Sequence, residues 1–139
     1  MPYPTVIERT SQMGQQIVLW QALTPWAVRV LKQTAGWQIP VSAPGDTHAL
    51  LKPSRLGAHS AAETVWAPRY GMAAVVSLVF PRELVQQLPS SSVAYEEHRD
   101  YVVTKAQLDS LSGALLRPVR VVEVVTRRTR QPLAMGLVG

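Results

Sequence analysis

The sequence predicts an α+β fold: a small antiparallel or mixed sheet with short helices packed on one face. Three observations carry this. Apolar, β-branched runs stand at 72–80 and 119–126 without helical spacing. Helix-start signals, Thr24-Pro25 and Thr104 with Gln107, lie outside those runs. Strands and helices do not alternate as a doubly wound parallel sheet requires. A length of 139 residues fits one domain, so 1–139 is read as a single unit.

Taken in order, Thr10 or Ser11 can cap a first helix. Met13, Ile17, Trp20 and Leu23 then fall at helical spacing. Thr24 as N-cap and Pro25 at the first helical position start a second helix, with Gly36 as its stop. Pro40, Pro44-Gly45, Pro53 and Gly57 punctuate an irregular stretch, 37–59. Trp37 to Ile39 with Val41, and Ala49 to Leu51, are brief strands within it. A loop of this length inside a small domain is expected to cover something. Ser60 and Glu63 have capping-box spacing, although Val65 to Ala67 also reads as strand. A buried strand over 72–80 leads through Pro81 into a helix ending at Pro89. Tyr101 to Val103 is a strand, and Thr104 opens a short helix that Gly113 ends. The 119–126 strand, a turn at 127–130 and a returning strand over 131–138 make a C-terminal hairpin.

Composition narrows the functional classes. With no cysteine there are no disulfides, thiolate metal sites or cysteine nucleophile. The N-terminus lacks the basic and apolar segments of a signal peptide, and no apolar run is long enough to span a bilayer. A cytoplasmic protein with no membrane partner is therefore expected. The net charge is +5, and Arg117, Arg120, Arg127, Arg128 and Arg130 face one acid, Glu123, in the final segment. Phosphate-cradling, dinucleotide, nucleophile-elbow and metalloprotease motifs are absent, so no cofactor is expected.

The positive signals are fewer. His59 and Glu63 are four apart and would share a helix face. Such a pair could bind a metal or form an acid–base couple, but two side chains do not complete a site by themselves and His48 would have to arrive from a loop, so no metal is assigned. Glu96-Glu97-His98-Arg99-Asp100 has the groups for general acid/base work, but neighbours on a strand point to opposite faces, so Glu96 and Glu97 could not both line one pocket and the run reads as a solvated loop or an edge strand before Tyr101. Trp20 and Trp26 read as core. Trp37, Trp66, Arg69 and His59 are the candidate pocket lining. The arginine-rich hairpin is the strongest feature, because guanidinium groups make bidentate contacts to phosphate and carboxylate.

Some stretches resemble the chorismate lyase family. Leu23-Thr24 before a helix is similar to that family's early L-T segment. Gly71 to Pro81 is similar to its hairpin strand closed by proline, and Arg127-Arg128-Thr129-Arg130-Gln131-Pro132-Leu133 to its late R-R-S and G-x-P-L. The resemblance implies an enzyme with an aromatic-lined pocket. Glu63 stands near where the family's catalytic arginine belongs, and Gly136 and Leu137 where its catalytic glutamate belongs. The catalytic pair is thus not carried over.

The leading expectation is a binding or regulatory protein. Arg127, Arg128 and Arg130, extended by Arg117 and Arg120, would contact nucleic acid or an acidic protein surface. A small-molecule-binding, chorismate-lyase-like enzyme is the alternative. A non-catalytic adaptor subunit assembling through its C-terminal strand is another, and that strand could also join two copies as a homodimer.

Overall fold

The computed structural model describes residues 15–88 and 100–127. Its elements run β1 (Gln16–Leu23), α1 (Pro25–Gln33), β2 (His48–Leu51), α2 (Arg55–Ala61), a π-helical turn (Ala62–Trp66), α3 (Ala67–Tyr70), β3 (Met72–Pro81), α4 (Arg82–Val85), β4 (Tyr101–Thr104), α5 (Lys105–Ser112) and β5 (Arg120–Thr126). The fold is α+β, with two small antiparallel sheets ordered β1-β3-β5 and β2-β4.

β3 is central because its sequence suits burial on both faces. Ala73 to Val76 and Leu78 to Phe80 are all buried, and β1 and β5 hydrogen-bond to its two edges. The second sheet joins the first by one backbone bridge, where Trp20 and Lys52 exchange hydrogen bonds of 2.9 and 2.7 Å, and packs Ala49, Leu51 and Val103 into the same core.

The first helix expected from the sequence is a strand. Residues 16–23 pair with β3 from Gln16↔Pro81 to Leu23↔Ala74. Leu19, Gln21 and Leu23 alternate onto one buried face. Gln21 interrupts the apolar alternation that would have announced this. Its amide Nε2 donates to the Pro40 carbonyl at 2.9 Å, which satisfies the donor half of the buried amide and leaves Oε1 without a partner among the described residues.

The two faces of β1 meet different neighbours. Leu19 and Leu23 join Leu78, Phe80, Ala27 and Leu31 in the larger core. Trp20 and Ala22 join an alanine-rich layer of Ala58, Ala62 and Ala67 on the other face. Helical segments thereby cover both faces of the three-stranded sheet, which extends the one-faced packing expected. Alanine there lets the α2–α3 backbone lie close to the strands.

The strap between α1 and β2 is not a strand at Trp37–Val41, but its core is buried from Ile39 to Ala43. Side chains hold it. Thr24 caps α1 by accepting from the Ala27 amide and donates to the Ser42 carbonyl at 2.6 Å. The Ser42 hydroxyl donates to Ala22 at 2.6 Å, and Ser112 Oγ accepts from the Ile39 amide at 2.8 Å. These bonds satisfy backbone groups that no ladder serves.

α2 starts earlier than the Ser60 signal indicates. Ser54 is its N-cap, accepting from the Gly57 amide, and Val65–Trp66 is helical. The Thr104–Gln107 capping box forms in full. Of the expected C-terminal hairpin, the first strand is β5; the rest, and the Glu96 to Arg99 run, lie outside the described residues. No helix among the described residues is long and apolar enough to cross a membrane.

Candidate functional site

Pro68 shapes the segment that carries the first candidate site. A proline has no amide proton and its ring collides with the carbonyl four residues earlier, here Thr64. The helix widens just before it, and the Ala67 amide bonds to Ala62, five residues back. Such π turns often occur at functional sites. This one places Ala61, Val65 and Trp66 along one wall of a cleft of about 410 Å³. Leu50 and Ala22 extend the apolar wall. Ser42, Asp46, Thr47, His48 and Lys52 supply the polar rim, from the buried strap and β2.

The rim is mixed in charge. Lys52 Nζ lies 3.0 Å from Asp100 Oδ2. Asp46 Oδ2 accepts from the Ala43 amide at 3.2 Å. Thr47 Oγ1 and His48 Nδ1 are 2.8 Å apart. The lining therefore combines hydrogen-bonding groups of both signs with an indole.

A second group lies on α2 and β5. The β3–β5 register slips between Val75 and Val76, so that Val75 faces Glu123 while Val76 faces Val121. Val122 is the extra residue of this bulge. Bulges re-aim neighbouring groups, and the Val122 carbonyl accepts from Arg55 Nη2 at 3.2 Å. Glu123 stands on the α2 side, with Oε1 3.4 Å from Arg55 Nε and Oε2 2.7 Å from His59 Nδ1. His59 Nε2 is 3.9 Å from Glu63 Oε2. A groove of about 380 Å³ runs past Arg55, Leu56, His59 and Glu123.

The four residues expected to line one pocket are dispersed. Trp66 lines the cleft, and His59 belongs to the second group. Trp37 is half exposed just beyond α1. Arg69 is exposed on α3 and lines neither space described. The residues that sequence reasoning missed, His48, Lys52 and Glu123, carry no local motif; strand pairing and a bulge bring them in.

Of the five arginines, the three among the described residues are also spread. Arg117 and Arg120 are exposed near the start of β5, and Arg127 just beyond its end. That strand spans about 20 Å at its usual rise. The Arg127 guanidinium donates to the Pro68 carbonyl at 3.4 Å. Arg128 and Arg130 lie outside the described residues. No protein-family model, curated protein or solved structure matches this chain.

Proposed function

We propose that this chain binds a small, ring-bearing polar molecule in the cleft between the π turn and the 42–52 strap. The single observation behind the reading is the π turn itself, which brings Trp66 into one lining with the polar groups of His48, Lys52 and Asp46. A flat apolar wall facing a few convergent polar groups is the usual makeup of a ligand site. An aromatic or alicyclic ring would lie on the Trp66 indole, with its hydrogen-bonding substituents toward His48 and Lys52. A thermal-shift panel of aromatic acids, aromatic amines and neutral heterocycles tests this. The expected result is a raised midpoint for one chemical class, removed in Trp66→Ala and in Lys52→Met. No shift from any class, or a shift that Trp66→Ala leaves intact, defeats the reading.

A second reading is favoured by β5, which is an edge strand among the described residues and has exposed arginine at both ends. On this reading Arg117, Arg120, Arg127, Arg128 and Arg130 contact a nucleic acid or an acidic protein surface. Fluorescence anisotropy with short single- and double-stranded nucleic acids across a salt series tests it. Phosphate contacts predict a steep loss of affinity with salt. Absence of binding at low salt removes nucleic acid as the partner. The C-terminal strand expected over 131–138, which would join two copies of the chain, lies outside the described residues, and light scattering against concentration would reveal such a dimer.

A further inference from the structure

The group on α2 and β5 has an arrangement that the cleft reading does not use. Both oxygens of Glu123 are engaged, Oε1 by Arg55 and Oε2 by His59 Nδ1. A carboxylate accepts, so Nδ1 carries a proton toward Glu123, and in the neutral ring Nε2 is left with the lone pair, pointing away from Glu123. That lone pair meets the Glu63 carboxylate at 3.9 Å. Two electron-rich atoms face each other, too far apart for a hydrogen bond and on consecutive turns of one helical segment. Something positive between them resolves the opposition. Imidazole nitrogen and carboxylate oxygen bond zinc at about 2.0–2.2 Å. Closing the pair by roughly half an ångström would seat one ion on both, at the ligand separation tetrahedral geometry requires.

We propose that His59 Nε2 and Glu63 form a divalent transition-metal site, with Glu123 as the positioning residue that fixes the imidazole. No three metal-binding side chains converge among the described residues, so two protein ligands hold the ion and water completes its shell. Both ligands are accessible, with 32% and 45% of their side chains exposed. The borderline ligand pair selects zinc, nickel or copper over magnesium or calcium. A carboxylate behind a ligating imidazole raises its basicity and is a recurring support in such sites. Arg55, bonded to the far oxygen of Glu123, keeps that carboxylate from becoming a third ligand.

The test is Zn²⁺ titration of the full chain by calorimetry, with histidine ¹⁵N NMR in parallel. One saturable site below about 1 mM is expected, with His59 Nε2 as the nitrogen that shifts. His59→Gln and Glu63→Gln each abolish that site, whereas a double His48→Gln, His98→Gln variant retains it. Glu123→Gln lowers affinity by about 10-fold or more and alters the His59 tautomer signature, while circular dichroism reports an intact fold. No saturation in that range, or binding that survives His59→Gln, overturns the proposal. So does NMR showing a proton on Nε2 that zinc does not displace, since the cation between the two groups is then the proton alone.

Discussion

Gly36 and Gly45 share almost the same backbone conformation, with φ of +87° and +88°. They differ in what a side chain would meet. A Cβ on Gly45 finds nothing within 4 Å, whereas one on Gly36 would lie 2.8 Å from the Val119 carbonyl oxygen and 3.0 Å from Pro118 Cβ. The pair thus separates conformational strain from steric conflict. Alanine at either position costs about 1–2 kcal/mol for entering the left-handed region. At Gly36 the clash is with backbone, which cannot rotate away, and overpacking of this kind adds about 1–3 kcal/mol. The carbonyl of Gly36 also accepts from the Val119 amide at 2.7 Å, so the shift that relieves the clash stretches this bond. Urea unfolding should place Gly36→Ala below Gly45→Ala by about 1–3 kcal/mol, with unchanged m-values. Equal costs, within about 0.5 kcal/mol, would refute the close docking of the segment before β5 on the end of α1.

Three further substitutions probe the strap and the helices. Ser112→Ala leaves the buried Ile39 amide without its acceptor and should cost about 1–3 kcal/mol in chemical denaturation; a neutral result would mean water reaches that amide. Thr24→Val keeps shape but removes the N-cap oxygen and the bond to Ser42, lowering stability by about 1–2 kcal/mol, while Thr24→Ser retains most of it, again read from urea midpoints. Pro68→Ala restores the missing amide proton and lifts the ring from Thr64. The π turn should tighten toward α-helix, seen as altered amide shifts at 62–67 and a higher thermal midpoint, with loss of any ligand bound against Trp66. A lower midpoint with unchanged shifts would show that Pro68 is not what widens the helix.

Legibility in the sequence followed how local each cause was. The Thr24-Pro25 start, the Thr104–Gln107 box and the valine-rich β3 are specified within a few residues, and all three form. β1 misled because Ile17, Trp20 and Leu23 mimic helical spacing, while its true alternation passes through a glutamine whose partner is nineteen positions away. The His59–Glu63 pair was readable from helix periodicity. Glu123, which gives the pair its orientation, comes from another element by way of a bulge. The cleft was unreadable for the same reason: its walls come from the strap, β2 and a helix whose widened turn depends on one proline.

The three-stranded sheet has a consequence for when the chain can fold. β3 pairs Gln16 with Pro81 on one edge and Met72 with Thr126 on the other. Both edges join segments far apart in sequence: the strap, β2 and several helices lie between β1 and β3, and α4, β4 and α5 between β3 and β5. Closing such long loops is entropically slow, so folding is expected in milliseconds to seconds rather than microseconds. During synthesis β3 would leave the ribosome with one edge still open, because β5 follows it in the chain. Until Thr126 emerges, a strongly apolar strand stays available to neighbouring chains. The arginines and the glutamate along β5 are then the charges that discourage that strand from pairing with another chain before it reaches β3.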